Sequence, residues 1–445
     1  MYVTSIALTN FRDIKTKDEI GQEKPLLSVP NFDEKFNLII GVNGSGKTSI
    51  LEALAILISR VLPHIIPTPP QIRNFTATDY SVKSELITGT LKLNFEGEEL
   101  TYNFNKAVNS ALKYVLSSRN TVTRLAELHD KRNLLSKAST PIVLLYTTDR
   151  ASFRLSKTIK ASKLNGRAVA YQKELVEKTV NYTAISQWLR QDQELASKNP
   201  PNHPLLETIT AALREFAPAF GKLEEEVNPP RLYINKAGVR LGIEQLSDGE
   251  RSFLGMVIDI ARHLAQANPS AEEPLKGKGI ILIDELDLHL HPKWQRSIVE
   301  YLQKTFPNLQ FITTTHSPFI IQSLKPGQLI NLDPESYDEE YEYANKSIED
   351  IAEDVMGVPM PQKSERYLEM LEAAENYFRK LRTADQNSPE ELEELKRQYD
   401  ELSVRYSDDP AYMALLRVER ETHLRKEQYA LPPDSGFQGN GYYLF

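Results

Sequence analysis

The chain has 445 residues, of which 40% are hydrophobic, with a mean hydropathy of −0.42 and a formal net charge of −8. It contains no cysteine, which excludes disulfides, thiolate catalysis and cysteine zinc sites. No apolar run reaches the ~18 residues of a membrane span, and the N-terminus lacks the basic head and apolar body of a signal peptide. We therefore expect a cytoplasmic protein of two or three lobes that does not enter a membrane.

A glycine-rich loop at residues 41–48, Gly-Val-Asn-Gly-Ser-Gly-Lys-Thr, fits the pattern G-x-x-x-x-G-K-[ST]. The apolar residues 36–40 predict a strand before this P-loop, and the apolar spacing of residues 49–57 predicts a helix after it. In that context the backbone N–H groups and the helix N-terminus bind phosphates, and Lys47 adds a full positive charge. Thr48 would place its hydroxyl on Mg²⁺. The loop therefore predicts a nucleoside triphosphate site.

The charges are distributed unevenly along the chain. Residues 101–190 carry 16 Lys/Arg against 5 Asp/Glu, whereas residues 331–430 carry 13 Lys/Arg against 26 Asp/Glu. The basic stretch has interleaved aromatic side chains, which favours contact with nucleic acid, although a solvated helical lobe explains it as well. Within it, residues 111–137 are predicted to be mostly helical. Residues 142–146 read as a buried strand that ends near Asp149 and Arg150, where polar groups often bind ligands.

A second nucleotide-related motif occupies residues 279–285, Gly-Ile-Ile-Leu-Ile-Asp-Glu. An apolar strand would deliver Asp284 to the Mg²⁺ ion, and Glu285 would polarise the attacking water. Adjacent carboxylates after a strand are common on protein surfaces. Their occurrence after a P-loop makes the catalytic interpretation the stronger one.

Residues 246–250, Leu-Ser-Asp-Gly-Glu, resemble the L-S-G-G-[QE] signature of ABC-type ATPases in the form used by the SMC/RecF-like branch. In that family the signature begins a helix that reaches across a dimer to the γ-phosphate of the partner's ATP. The resemblance implies this role for Ser247 and Gly249, with Ser247 as the N-cap residue. A capped helix start without a ligand is the alternative. His316, in Thr-Thr-His-Ser-Pro, resembles the switch histidine of the same family.

The order of these motifs matches the family across residues 2–325. The resemblance implies an α/β fold, an ABC-type P-loop ATPase head with a mixed sheet and a helical lobe, followed by a C-terminal α-helical extension. We assign residues 1–345 to the ATPase domain, with a basic and mainly helical lobe at about residues 105–225. Residues 346–445 form the acidic helical region.

Two features depart from the family pattern. The glutamine that contacts the metal in ABC ATPases stays unassigned, because Gln71 does not follow an evident strand. The strand at residues 142–146 instead leads to Arg150, as in the Tyr-x-x-x-Arg segment of OLD-like ATPases. The loop after Glu285 lacks the usual aspartate at its customary offset and resembles the L-H-P-x-W-Q motif of that branch. Its His289 and His291 are expected to serve packing or an interface rather than a metal.

The chain has no heptad arm, unlike SMC proteins, and no acidic cluster of a Toprim nuclease. Residues 348–359 and the acidic tail resemble the ATPase subunits of Septu-type and retron-associated anti-phage systems (PtuA-like). That resemblance implies a homodimer or higher homo-oligomer that sandwiches ATP and Mg²⁺ and controls a separate HNH endonuclease (PtuB-like), bound in part by the acidic helices. A RecF-like DNA-binding ATPase without a nuclease is the alternative, and a transporter ATPase subunit fits less well.

The predicted site therefore has three parts. Glu285 and His316 are the catalytic candidates, and Thr48 and Asp284 are the metal ligands. The residues assigned to the nucleotide are Asn43, Gly44, Ser45, Gly46, Lys47, Thr48, Ser49, Ser247, Gly249 and Glu250.

Overall fold

The fold is described from a computed structural model of the chain. The described residues are 1–12, 16–17, 23–24, 26–66, 72–82, 84–108, 110–116, 140–151, 185, 189, 204–226, 231–269, 271–332, 343–358, 364–383, 388–405, 412–414 and 416–418. Gln71 and most of the basic residues 117–190 lie outside the described residues, so the predictions made for them stay predictions.

A five-stranded parallel sheet lies at the centre of the fold. From edge to edge its strands are β15 (Leu329–Asn331), β5 (Phe36–Ile40), β14 (Leu309–Thr314), β13 (Gly279–Ile283) and β9 (Ile142–Tyr146). The last four strands are buried along their whole length, as expected for parallel strands that are covered on both faces. The strands predicted from the apolar runs before the P-loop and before Asp284 are confirmed.

The remaining strands pair antiparallel in separate sheets. The larger sheet has the order β4 (Leu26–Val29), β1 (Tyr2–Thr9), β6 (Leu86–Phe95), β7 (Glu98–Ala107) and β8 (Lys113–Leu116). A second sheet contains β10 (Phe220–Glu226), β11 (Arg231–Lys236) and β12 (Val239–Gly242), and β2 (Thr16–Lys17) pairs with β3 (Glu23–Lys24).

Strand β8 corrects the helical prediction for residues 113–116, whereas residues 117–137 lie outside the described residues and their helix stays a prediction. Its four residues pair antiparallel with β7. Tyr114 stacks on Tyr102 of β7 with ring centroids 5.3 Å apart. Aromatic and β-branched side chains gain from such cross-strand contacts, which outweigh a weak local helical pattern.

The helices complete the α/β class that the motifs predicted. They are α1 (Lys47–Val61), α2 (Pro204–Phe216), α3 (Asp248–Ala267), α4 (Pro292–Gln295), α5 (Ile298–Thr305), α6 (Pro318–Ile321), α7 (Ile348–Asp350), α8 (Glu365–Thr383) and α9 (Pro389–Arg405). A π-helical turn, Ile351–Val355, continues α7. Within the described part of the chain, no helix is both long and apolar enough to cross a membrane.

The chain divides into two units, Met1–Val358 and Pro359–Phe445. The division follows Val358 instead of residue 345, the boundary expected from the change in charge. Ile351 and Val355 are buried in the core of the first unit, which explains why the segment around α7 belongs with the ATPase domain. In the second unit, α8 and α9 share a smaller core that includes Met370, Tyr377 and Leu395.

One buried side chain connects the antiparallel sheet to the parallel sheet. Gln310 of β14 is 1% exposed, and its Oε1 accepts a hydrogen bond from the N–H of Val3 in β1 at 2.7 Å. Its Nε2 donates to the carbonyls of Val3, at 2.9 Å, and of Asp33, at 2.8 Å. A single amide thus satisfies three backbone groups, of which the two that belong to Val3 are fully buried.

We expect Gln310→Leu to lower the free energy of unfolding by about 3 kcal/mol, because it leaves these buried backbone groups without partners. Urea denaturation followed by tryptophan fluorescence measures the change. Gln303→Leu, the same substitution at a half-buried position of α5, is the matched control. Equal midpoints for the two variants would contradict a connecting role for Gln310.

Candidate active site at the carboxyl edge of the parallel sheet

The register of the parallel sheet brings four loops to one edge. Ile283 of β13 lies beside Thr313 of β14 on one side and Tyr146 of β9 on the other. Thr314 lies beside Ile39 of β5, whose strand leads into the P-loop. Because the carboxyl ends of parallel strands meet at the same edge, the segments that follow β5, β9, β13 and β14 emerge together, where ligands bind in such sheets.

The P-loop presents an anion-binding backbone. Gly46, the N-cap of α1, has a φ of 101°, a left-handed conformation that glycine adopts without strain, and no side chain caps the helix there. The first turn of α1 contains no acidic residue, so its N–H groups and dipole remain suited to a phosphate. The Oγ atom of Ser45 is buried and has no hydrogen-bond partner among the described residues, as expected of a group that completes its bonding with a ligand.

Lys47 lies across the same loop. Its ammonium donates to the carbonyl of Gly41 at 2.7 Å and to that of Val42 at 3.0 Å, and the residue is buried. These two bonds hold the positive charge at the loop, while Asn43 and Gly44 form its exposed tip. The arrangement fits the phosphate-binding role predicted for this segment, including Ser49 in the first turn of α1.

The predicted metal ligands are brought together although they are 236 residues apart in the chain. Thr48 Oγ1 donates to the Asp284 carboxylate, at 3.1 Å from Oδ1 and 3.0 Å from Oδ2. Thr314 Oγ1 donates to the same Oδ1 at 2.7 Å. A carboxylate and a hydroxyl beside a phosphate-binding loop match the oxygen ligands that Mg²⁺ prefers, so these residues fit that ion.

Glu285 leaves the sheet in an unusual backbone conformation. Its φ is 49°, and its N–H donates to Thr314 Oγ1 at 2.7 Å. The guanidinium of Arg150 donates to the backbone carbonyls of both Asp284 and Glu285. The sequence analysis placed Arg150 at the end of a strand and in a resemblance but assigned it no specific role, and it assigned no role to Thr314. Hydrogen bonds to main-chain groups require no particular residue type in the partner, so a sequence motif does not reveal them.

His316 lies at the same edge, directly after β14, and is exposed. The backbone N–H of His316 donates to Asp287 Oδ1 at 3.3 Å, and the Thr315 hydroxyl donates to the same atom. Asp287, which sequence reasoning also missed, therefore connects the loop after Glu285 to the His316 segment. Within the ranges that the structure describes, no side-chain contact of His316 tests its predicted role, so that role stays a prediction.

The signature segment begins helix α3 with a capping box. Ser247 Oγ accepts from the Glu250 N–H at 3.3 Å, and Glu250 Oε2 accepts from the Ser247 N–H at 3.3 Å. Glu250 also pairs with Lys236 at 2.6 Å. Burial alone would raise the pKa of Glu250, but Lys236 and the Ser247 bonds hold it below its ordinary value. These contacts give the segment a structural role, and contact of Ser247 and Glu250 with a nucleotide stays a prediction.

Gly249 makes a close approach within the same chain. A Cβ at this position would lie 2.1 Å from the carbonyl oxygen of His289, whose own φ is 61°. The start of α3 therefore packs directly against the loop that follows Glu285. The sequence interpretation placed Gly249 against a partner's phosphate, whereas this contact already requires a glycine in a single chain.

The segment that resembles L-H-P-x-W-Q connects three parts of the site. His291 caps α4, with its Nδ1 accepting from the Lys293 N–H at 3.2 Å. The Trp294 ring meets Phe253 of α3 edge to face, with centroids 5.9 Å apart. Gln295 accepts from the Ser317 hydroxyl at 2.7 Å. Helix α3, the loop after Glu285 and the segment after His316 are therefore joined.

Comparison with known protein families gives a match over nearly two thirds of the chain. Residues 36–322 match the family described as "AAA domain, putative AbiEii toxin, Type IV TA system". The match begins at β5 and ends just after α6, so it includes the P-loop, the signature segment, Asp284, Glu285 and His316.

Individual relatives match shorter stretches. The Retron Ec83 probable ATPase of Escherichia coli is 45% identical over 132 residues, which is 30% of this chain and 24% of that protein. The Retron Vc95 probable ATPase of Vibrio cholerae is 36% identical over 184 residues, 41% of this chain and 33% of that protein. The Septu protein PtuA of Bacillus thuringiensis is 31% identical over 151 residues, 32% of this chain and 38% of that protein. The chain thus spans about a quarter to two fifths of these relatives.

We expect Gly249→Ala to lower the free energy of unfolding by about 2 kcal/mol even without nucleotide, because the new methyl group would collide with the His289 carbonyl. Thermal melting of the nucleotide-free protein measures this change. Asp248→Ala, an exposed position in the same turn, is the control. If the two variants have the same melting temperature, the contact with the His289 carbonyl does not require the glycine, and its role is confined to a nucleotide held by a second copy.

Proposed function

Because this chain belongs to the AAA domain family that includes putative AbiEii toxins, we propose that it is a cytoplasmic ATP-binding and ATP-hydrolysing regulatory subunit of an anti-phage defence complex. The observation that carries the proposal is the meeting of Thr48, Asp284 and Thr314 beside the P-loop. The similarity to retron and Septu proteins supports the place in defence.

The geometry supports a hydrolytic mechanism. The P-loop N–H groups and Lys47 bind the phosphates and balance their charge. Thr48 and Asp284 would hold Mg²⁺, which when bound would supply further positive charge beside the phosphates. Glu285, which follows Asp284 at the same edge, orients the attacking water and accepts its proton. His316, at the end of the neighbouring strand, contacts the γ-phosphate side of the nucleotide.

The proposed active unit is a dimer of this chain. Ser247 is exposed at the N-terminus of α3, a helix of 20 residues whose first turn would direct its N–H groups at a nucleotide bound by another copy. In this arrangement each ATP lies between the P-loop of one copy and the Ser247–Glu250 segment of the other. The exposed position of Ser247 supports this, and the capping box keeps its hydroxyl at the helix start.

The proposed partner is an HNH-type endonuclease (PtuB-like) that the ATPase cycle controls. The acidic helices of the second unit are its proposed binding surface. In α9, residues Glu390, Glu391, Glu393 and Glu394 are exposed and follow one another closely. Such a surface would favour a basic partner through charge complementarity.

A second candidate function is a RecF-like DNA-binding ATPase without an associated nuclease. The 16 Lys/Arg residues against 5 Asp/Glu residues in the stretch 101–190 favour it, since phosphate contacts need such a density of cations. Under this alternative the isolated chain binds DNA in a salt-sensitive manner, and nucleic acid contacts the basic region.

We expect Glu285→Gln to lower ATP hydrolysis at least ~100-fold and to trap an ATP-bound dimer, because the amide cannot accept the proton. Phosphate release and light scattering after size exclusion measure the two effects. Adding Ser247→Arg should return the trapped protein to monomers while ATP binding persists, whereas Lys47→Ala should abolish binding. A parental hydrolysis rate in Glu285→Gln would exclude Glu285 as the base.

We expect the chain to copurify with an HNH protein encoded beside it and to alter that protein's DNA cleavage when ATP is added. Charge reversal at Glu390, Glu393 and Glu394 should release the partner, because it removes the complementary surface. The same reversal at the exposed Glu272 and Glu273 of the first unit is the control. Salt-sensitive DNA binding by the chain, without partner association, would favour the RecF-like alternative instead.

A further inference from the structure

The guanidinium of Arg150 lies behind the catalytic turn. Arg150 is in the short 3₁₀ turn Thr148–Ala151 that follows β9, and it is only 4% exposed. It donates to the carbonyl oxygens of two successive residues, Asp284 and Glu285. The planar fork of a guanidinium can serve two neighbouring acceptors at once, which a lysine ammonium cannot do in the same rigid geometry.

The turn that Arg150 holds is an uncommon one. Glu285 has a φ of 49°, in the left-handed region that residues other than glycine adopt rarely and that persists only when surrounding contacts enforce it. The Glu285 N–H is fixed by Thr314 Oγ1 at 2.7 Å, and its carbonyl is fixed by Arg150. The peptide groups on both sides of the Glu285 Cα atom are therefore bonded to the end of β14 and to the turn that follows β9.

The charge of Arg150 suits this position. Burial lowers its pKa to about 10, while the nearby carboxylates of Asp284, Asp287 and Glu285 act in the opposite direction. Arg150 thus stays protonated at neutral pH. Its positive charge lies near three carboxylates, yet its hydrogen bonds go to backbone carbonyls and leave the Asp284 carboxylate to the hydroxyls of Thr48 and Thr314.

We propose that Arg150 is the positioning residue for hydrolysis: by holding the Asp284 and Glu285 carbonyls, it keeps the Glu285 side chain directed at the site beside Thr48 and Asp284. This inference deepens the proposed function, because it requires Glu285 to be the base. Arg150 itself does not contact the reacting atoms. Its role is to keep the left-handed turn from relaxing into an ordinary conformation that would carry the carboxylate away.

The first test separates chemistry from nucleotide binding in Arg150→Gln and Arg150→Lys. Both should lower kcat, by at least ~30-fold for Gln, while the KM for ATP and the Kd for a non-hydrolysable ATP analogue stay within ~2-fold, because the P-loop is untouched. Lysine retains the charge and one hydrogen bond, so Arg150→Lys should have a higher kcat than Arg150→Gln. This conservative variant also keeps the test informative if Arg150→Gln does not fold. Arg240→Gln, an exposed arginine of β12 paired with Glu224, is the control.

The second test is a double-mutant cycle with Glu285→Gln, measured in single turnover. If Arg150 acts through Glu285, adding Arg150→Gln to Glu285→Gln should change the rate less than ~3-fold, because no base remains to be positioned. Multiplicative losses would overturn the proposal, and so would equal losses of nucleotide binding and kcat. An unchanged rate in Glu285→Gln alone would exclude Glu285 as the base. That result contradicts the proposed mechanism of hydrolysis and is distinguishable from a failure of the Arg150 proposal, in which Glu285→Gln is inactive but Arg150→Gln is not slowed.

Discussion

The geometry of the site depends on one carboxylate, Asp284, which two other segments share. Thr48 from the start of α1 and Thr314 from the end of β14 both donate to it, at 3.0 and 2.7 Å. A largely buried carboxylate is tolerated because these hydroxyls satisfy its oxygens. The parallel register that places Ile283 beside Thr313 and Tyr146 therefore determines the position of Asp284 as well as the packing of the core. A slip of one residue would turn Asp284 to the opposite face of the sheet and separate it from both threonines.

Around this carboxylate the chain joins elements that are distant in sequence. Gly249 brings the start of α3 against the His289 carbonyl, and Asp287 connects the same loop to the segment of His316. Gln295 then bonds the hydroxyl of Ser317 at 2.7 Å. The first two contacts fix segments that the proposed ATP cycle uses, the start of α3 and the segment of His316. A displacement of α3 would consequently also move the loop that follows Glu285.

The sequence predicted which residues meet at this edge of the sheet better than which residues hold them in place. The P-loop and Asp284 are recognisable because their function demands specific residue types after apolar strands, and the family match covers them. Arg150 and Thr314 act on carbonyl and N–H groups 135 and 29 residues away, so no local pattern marks their role. The strand Lys113–Leu116 was mistaken for a helix because its pairing with β7 is a tertiary contact.

A buried cluster of charged side chains also connects α3 to the edge of the parallel sheet where Asp284 and Glu285 lie. Asp259 of α3 accepts from the Tyr146 hydroxyl at 2.9 Å and from Arg262 at 2.7 Å. Burial would raise the pKa of Asp259, but Arg262 and His263 hold it well below its ordinary value. Burying such a group contributes little net stability compared with apolar packing. It does fix α3 against Tyr146, the last residue of β9. Because Arg150 follows Tyr146 by four positions, β9 positions both the helix that begins at the signature segment and the arginine that bonds the Glu285 carbonyl.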